Sequence, residues 1–360
     1  MLNRRRFLLN AGAASLAAPL ASMMLSRAGT AFAAEAGKPG EPGWRAFEVT
    51  TRVDLADAEG AAQLWLPVIQ SAEGYQKASA PKWSTAADSA RLAQDPTYAA
   101  GILHVNWSGE ASPSVEMKQI VSTRDRDASQ GLKATADELA LELQPTPSMP
   151  TDGIVKATAM KIVGDRTRPE DRARAIYDWV VDNTFRDAKV QGCGSGNVRQ
   201  MLETGYFGGK CADISSLFVA LSRAAGIPAR DVFGIRVADS GTFKCIGKSG
   251  DISKAQHCRA EIYLEPQGWV PVDPADVRKV VLEEKLPLDN PAVQAFRAKS
   301  FGNWEMNWVG FNSARDIVLP GGHEREDFLM YPCALTKWGT PDCLNPATFA
   351  YSITSREITA

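Results

Sequence analysis

The tetrapeptide Gly208-Gly209-Lys210-Cys211 runs into a segment whose apolar residues Ile214, Leu217, Phe218 and Leu221 fall at i, i+3, i+4 and i+7. That spacing predicts one buried face of a helix, stopped by Gly226 with Pro228 just beyond. Cys211 therefore occupies the helix start, where unpaired backbone N–H groups and the positive end of the dipole favour a thiolate. Gly208 and Gly209 let the backbone approach closely and leave the sulfur uncovered. The same N–H groups, the amide of Cys211 included, offer an oxyanion hole for a tetrahedral intermediate. Asp213 in the first turn would oppose thiolate formation if it pointed inward, and is read as an outward cap.

A thiol nucleophile needs a base, and a base needs a partner that fixes its tautomer. The chain holds three histidines, His104, His257 and His323. His104 lies in an early candidate strand and is read as structural; His323, in a Gly-Gly-His-Glu run, as an exposed loop residue. His257 opens a strand in which His257, Arg259, Glu261 and Tyr263 point one way and Cys258, Ala260, Ile262 and Leu264 the other. After the turn Glu265-Pro266-Gln267-Gly268, the segment Trp269–Asp273 carries Asp273 on the next strand. A tight turn at Pro266–Gln267 would offset the two side chains by several residues, whereas a loop centred nearer Glu265 would bring them opposite.

Around these residues, 45–143 read as a β-rich N-terminal domain, a small antiparallel sandwich. Phe47, Val49, Val53 and Leu55 alternate with polar residues, and Gln63–Leu66, Gly101–Trp107 and Val115–Ser122 are further strands. The proline-rich stretch 144–153 is a linker. Thr167-Arg168-Pro169-Glu170 reads as an N-cap signal, and Ala173, Ile176, Tyr177 and Val180 as the buried stripe of the following helix, with Trp179 beside them in the core. A short helix covers Asn197–Glu203 and ends at Gly205. Val232–Val237 reads as a strand, and residues 245–254 as a Gly/Ser-rich loop. The core spans 154–276, and 277–360 form a C-terminal extension packing on it, with Trp304, Trp308 and Trp338 as candidates for a cleft wall.

Residues 1–33 form a leader: Arg4-Arg5-Arg6-Phe7-Leu8-Leu9 resembles a twin-arginine export signal, and Ala31-Phe32-Ala33 is a cleavage site. This predicts a periplasmic or secreted protein delivered by the twin-arginine machinery, with no membrane span in the mature chain. Four of the 40 basic residues and none of the 42 acidic ones fall in the leader, so the mature chain is mildly acidic. That balance argues against nucleic acid as a partner. Of the six cysteines, Cys333 and Cys343 make the expected disulfide pair; Cys193, Cys245 and Cys258 stay unassigned. Histidine, cysteine and acid spacings match no zinc site or EF-hand, so neither metal nor cofactor is expected. Gly192-Cys193-Gly194-Ser195-Gly196 is read as a loop near the site rather than a phosphate cradle.

Gly209-Lys210-Cys211, followed by Leu217, Phe218, Leu221, Arg223, Ala224 and Gly226-Ile227-Pro228-Ala229-Arg230, resembles the catalytic-helix signature of the transglutaminase-like superfamily. His257 with Glu261, and Trp269 with Asp273-Pro274, resemble its histidine and aspartate motifs. The resemblance covers about residues 165–275, and extends loosely to the β-rich region before them and to the stretches 307–312 and 315–320. It implies an α+β, papain-like core with Cys211 as nucleophile, His257 as general base and acid, and Asp273 as orienting residue. One departure is that Cys258 and Arg259 stand where many relatives carry an aromatic residue after the histidine. The expected activity is acyl transfer from an amide or peptide bond through a thioester, with water as acceptor in a peptidase or amidase acting on protein or peptide. The alternatives are protein cross-linking, with an amine as acceptor, and a non-catalytic binding or scaffold module on the same fold.

Overall fold

The computed structural model describes residues 41–359 apart from 56, 57, 59, 110, 111 and 323. The leader and His323 lie outside the described residues.

The molecule is α+β. Its central element is the cysteine helix Cys211–Ala224, all fourteen of whose residues are buried. One side of it rests on an antiparallel sheet ordered Gly268–Val272, Gln256–Leu264, Ala229–Arg236, Trp308–Asn312. The helices Gly153–Val163 and Pro169–Asn183 cover the other side. A helix enclosed on all sides must satisfy its polar residues internally. Ser216 donates to Asp231 (3.1 Å), Ser215 to the Cys258 carbonyl (3.4 Å), and Arg223 to Glu142 (2.5 Å) and the Ala229 carbonyl (2.6 Å).

Two further antiparallel sheets face each other across an apolar layer containing Val53, Leu64, Leu66, Leu103, Val105, Val115 and Phe349. The first is built on Arg45–Asp54 between Ser114–Thr123 and Ala350–Ile358; the second on Ala62–Pro67 between Gly101–Trp107 and Cys333–Thr336. The last strand of the chain thus pairs with the first along nine residues, from Ala46↔Ile358 to Asp54↔Ala350. Residues 333–336 and 350–358 complete the β-rich layers as well as bordering the core. Phe47, Val49 and Val121 join the same apolar cluster as the cysteine helix, so sandwich and core share packing.

Several boundaries differ from the sequence expectation. The helix that carries Ala173 and Ile176 starts at Pro169, with Arg168 at the N-cap and no side-chain cap, so Thr167 stays outside it. Proline's fixed φ suits the first helical position better than Thr167 suits the cap. The helices Ala136–Leu141 and Gly153–Val163 were not anticipated. All six cysteines are free thiols, which corrects the Cys333–Cys343 pairing. The Cys333 thiol turns toward the Tyr331 carbonyl (3.7 Å), on a strand paired with Ala62–Pro67, while Cys343 lines the cleft described below.

Candidate active site

Asp213 builds the helix start. Its carboxylate accepts from the Lys210 amide (2.9 Å) across the first turn and from the amides of Ser195 (3.1 Å) and Gly196 (2.9 Å). It caps the helix and straps the glycine loop onto it. The glycines are what allow this. A Cβ at Gly194, whose φ is +86°, would lie 1.8 Å from Asp213 Oδ2, and one at Gly209 would lie 2.5 Å from the Asp213 Cβ. The loop is fixed once more where the Ala212 amide donates to the Cys193 carbonyl (2.9 Å). Cys211, at the first helical position, has no intrahelical carbonyl for its own amide.

Tyr263 pairs with Trp269 and Leu264 with Gly268, so the turn centres on Pro266, between the two registers the sequence left open. Continued, this pairing sets Asp273 opposite Arg259 rather than His257. The His257 ring therefore reaches diagonally to place Nε2 2.8 Å from Asp273 Oδ2, which leaves Nδ1 as the ring nitrogen available to Cys211. Asp273 is itself an N-cap, accepting from the Asp276 amide (2.9 Å).

Cys211, His257 and Asp273 are thus brought together, each nearly buried, and the first two line a cleft of about 360 Å³. Its other walls include Arg186, Gln191, Lys210, Lys254, Gln256, Tyr331 and Leu344. The C-terminal extension does form one wall, but through Tyr331 and residues 343–351. Trp304 and Trp308 are buried, donating to the Val272 carbonyl (3.2 Å) and the His257 carbonyl (3.0 Å), and Trp338 is exposed. His104 lies elsewhere, stacked on Trp65 and bonded to Gln63 (3.0 Å).

Spacing did not reveal the charges around the histidine. Asp276 lies 3.4 Å from His257 Nε2 and accepts from Arg236 Nη2 (2.6 Å); Arg259 approaches Asp273 at 3.3 Å. The Asp273-Pro274-Ala275-Asp276 run, a helix N-cap with a second acid in the first turn, was the available signal. Burial raises Asp276, but Arg236, His257 and Arg259 outweigh it and hold the carboxyl below the usual range. Burial pushes Asp273 up, with Asp276 adding to the effect. Burial also disfavours the imidazolium, yet Asp276 and then Asp273 reverse it, and His257 titrates above its ordinary value. The Cys211 thiol is drawn well below its ordinary value by the neighbouring Cys193 and Cys258 thiols and, against burial, by His257. A thiolate beside an imidazolium is the combination such shifts favour.

The family described as the transglutaminase-like superfamily matches residues 156–274, which contain Cys211, His257 and Asp273. An uncharacterized protein of Haemophilus influenzae is 37% identical over 338 residues, covering 87% of this chain and 91% of that one. The uncharacterized protein YebA of Bacillus subtilis is 34% identical over 130 residues, only 17% of its own length. The crystal structure of a candidate cysteine protease from Cytophaga hutchinsonii superposes with a TM-score of 0.54 at 13% identity, covering 88% of this chain and 92% of that one, a likeness of fold. The chain belongs to the transglutaminase-like superfamily.

Proposed function

We propose that the protein is a thiol-dependent hydrolase of amide or peptide bonds, working through Cys211, His257 and Asp273. The observation that carries this is the hydrogen-bonded His257–Asp273 pair beside a helix-start cysteine, with sulfur and imidazole on one open cleft. The Cys211 thiolate attacks the carbonyl carbon, forming the C–S bond, and the Cys211 amide meets the developing oxyanion. His257 gives its proton to the leaving nitrogen as the C–N bond breaks, leaving a thioester. Water, deprotonated by His257, then attacks the thioester; the C–S bond breaks, the carboxylic acid leaves, and Cys211 departs as the thiolate beside the His257 imidazolium. Asp273 holds the ring so that Nδ1 faces the sulfur throughout.

In this reading water, rather than an amine, is the acceptor. The twin-arginine-like leader supports action after export, on protein or peptide in the periplasm or beyond.

The test is the pH dependence of iodoacetamide labelling, mapped by mass spectrometry on the mature chain. Cys211 is expected to label with an apparent pKa clearly below the ~8.5 of a free cysteine, and His257→Ala to raise it. A Cys211 that stays unlabelled until reductant is added, or whose titration ignores His257→Ala, would sink the proposal. Product analysis of peptide substrates with and without added amine separates hydrolysis from cross-linking.

A further inference from the structure

Three of the six thiols converge at one point, although they come from distant elements: the glycine loop (Cys193), the helix start (Cys211) and the sheet strand (Cys258). All three are buried, and their sulfurs lie within 4.8 Å of one another. Met330 Sδ, itself fully buried, sits 3.9 Å from the Cys258 sulfur. Ordinary packing would account for one small buried cysteine. It does not account for three sulfurs from three separate elements gathered within 4.8 Å of one another.

We propose that Cys193, Cys211 and Cys258 form a binding site for one soft d10 metal ion, Zn(II) or Cu(I), entering from the cleft. A metal–thiolate bond of about 2.3 Å sets sulfurs roughly 4 Å apart around a shared ion, so the cluster closes onto a metal with sub-ångström movement. The donor set is all sulfur, with a thioether adjacent and no carboxylate in the group, which selects thiophilic cations over magnesium or calcium. The support is rigid: the Ala212 amide holds the Cys193 carbonyl, Asp213 holds Ser195 and Gly196, and Cys258 is fixed in the sheet. Cys193 and Cys211 line the cleft and so give the ion a path. His257, Asp273 and Asp276 also converge within 4.8 Å, but Arg236 and Arg259 already balance those carboxylates, so a cation gains little there.

Binding forms three metal–sulfur bonds and releases the thiol protons of Cys193 and Cys258, while Cys211 binds as the thiolate whose proton already resides on His257; no oxidant takes part. An ion held there occupies the lone pair that Cys211 needs for attack. That consequence, reversible silencing by a thiophilic metal, rests on the catalytic reading; the site does not.

The experiment uses the reduced, metal-free mature chain, titrated with Zn(II) and, anaerobically, with Cu(I), with native mass spectrometry and per-cysteine alkylation as readouts. One bound ion is expected, protecting Cys193, Cys211 and Cys258 together while Cys245, Cys333 and Cys343 stay as reactive as before. Uptake of only one of the two ions identifies which it is. Cys193→Ser and Cys258→Ala, both checked for folding by circular dichroism, should each weaken binding by more than the roughly 10- to 100-fold that loss of an outer-shell partner costs. Binding unaffected by both variants, protection confined to Cys211, no stoichiometric ion, or two of the three isolated as a disulfide would each overturn the site. Peptide turnover is assayed separately, so an inactive protein that still binds metal fails the catalytic proposal alone.

Discussion

Two carboxylates face one imidazole. Asp273 holds Nε2 at 2.8 Å, and Asp276 adds its charge at 3.4 Å while paired to Arg236. Against burial, the Asp276 charge raises the His257 pKa, and Asp273 adds its own charge and a hydrogen bond. Asp276→Asn should therefore lower the His257 pKa, read as an earlier titration of its ring proton by NMR, and carry the Cys211 labelling curve back toward that of an ordinary thiol. An unchanged His257 titration would refute this role for Asp276. The sign for stability follows. With its native pKa raised, His257 contributes stability that is complete below its unfolded value, about 6.5, and is lost as pH rises through the native value. In Asp276→Asn that contribution should shrink, so urea midpoints of the variant and the parent should converge as pH rises through the native His257 value.

The cysteine helix and the histidine strand are held by buried polar contacts rather than by apolar packing alone. Gly194→Ala forces a Cβ into the Asp213 carboxylate at a positive φ. It should cost on the order of 2–3 kcal/mol and slow Cys211 alkylation, because the strap that fixes the helix start is displaced. On the strand, His257, Arg259 and Glu261 share a face that was expected to be polar, yet all nine residues of the strand are buried. Glu261 pairs there with Arg126 and Arg230, and Arg126 stacks over Tyr75 and Trp304. Arg126→Ala removes one partner from a buried pair, for which a loss of about 3 kcal/mol in urea unfolding is expected. A loss well under 1 kcal/mol would mean that Arg230 alone compensates the carboxylate.

At the scale of the molecule, the chain closes on itself through Ala350–Ile358, which covers the edge of Arg45–Asp54 and brings Tyr351 to the cleft. The shared packing of sandwich and core predicts one thermal transition for the whole chain. Truncation after Phe349 removes nine paired residues and should lower that transition and abolish the low-pH reactivity of Cys211 in the same variant. Two separate transitions in the intact protein, or a truncated chain with unaltered Cys211 labelling, would show that the layers are independent.

The sequence by itself determined what is encoded locally. Helical periodicity and the Gly226 stop set the cysteine helix, Asn197 and Gly205 bounded the short helix Val198–Thr204, and alternation marked the strands Arg45–Asp54 and Gln256–Leu264. It also singled out Cys211, His257 and Asp273, because a helix-start cysteine and residues on two successive strands leave a trace in order and spacing. Only the tertiary structure decided the rest: the register centred on Pro266, Asp276 and Arg236 around the imidazole, the three-thiol cluster, and the C-terminal strand in the first sheet. These depend on which surfaces pack together across tens to hundreds of residues. A local pattern records that a strand has a face to bury, not which strand, helix or ion will cover it.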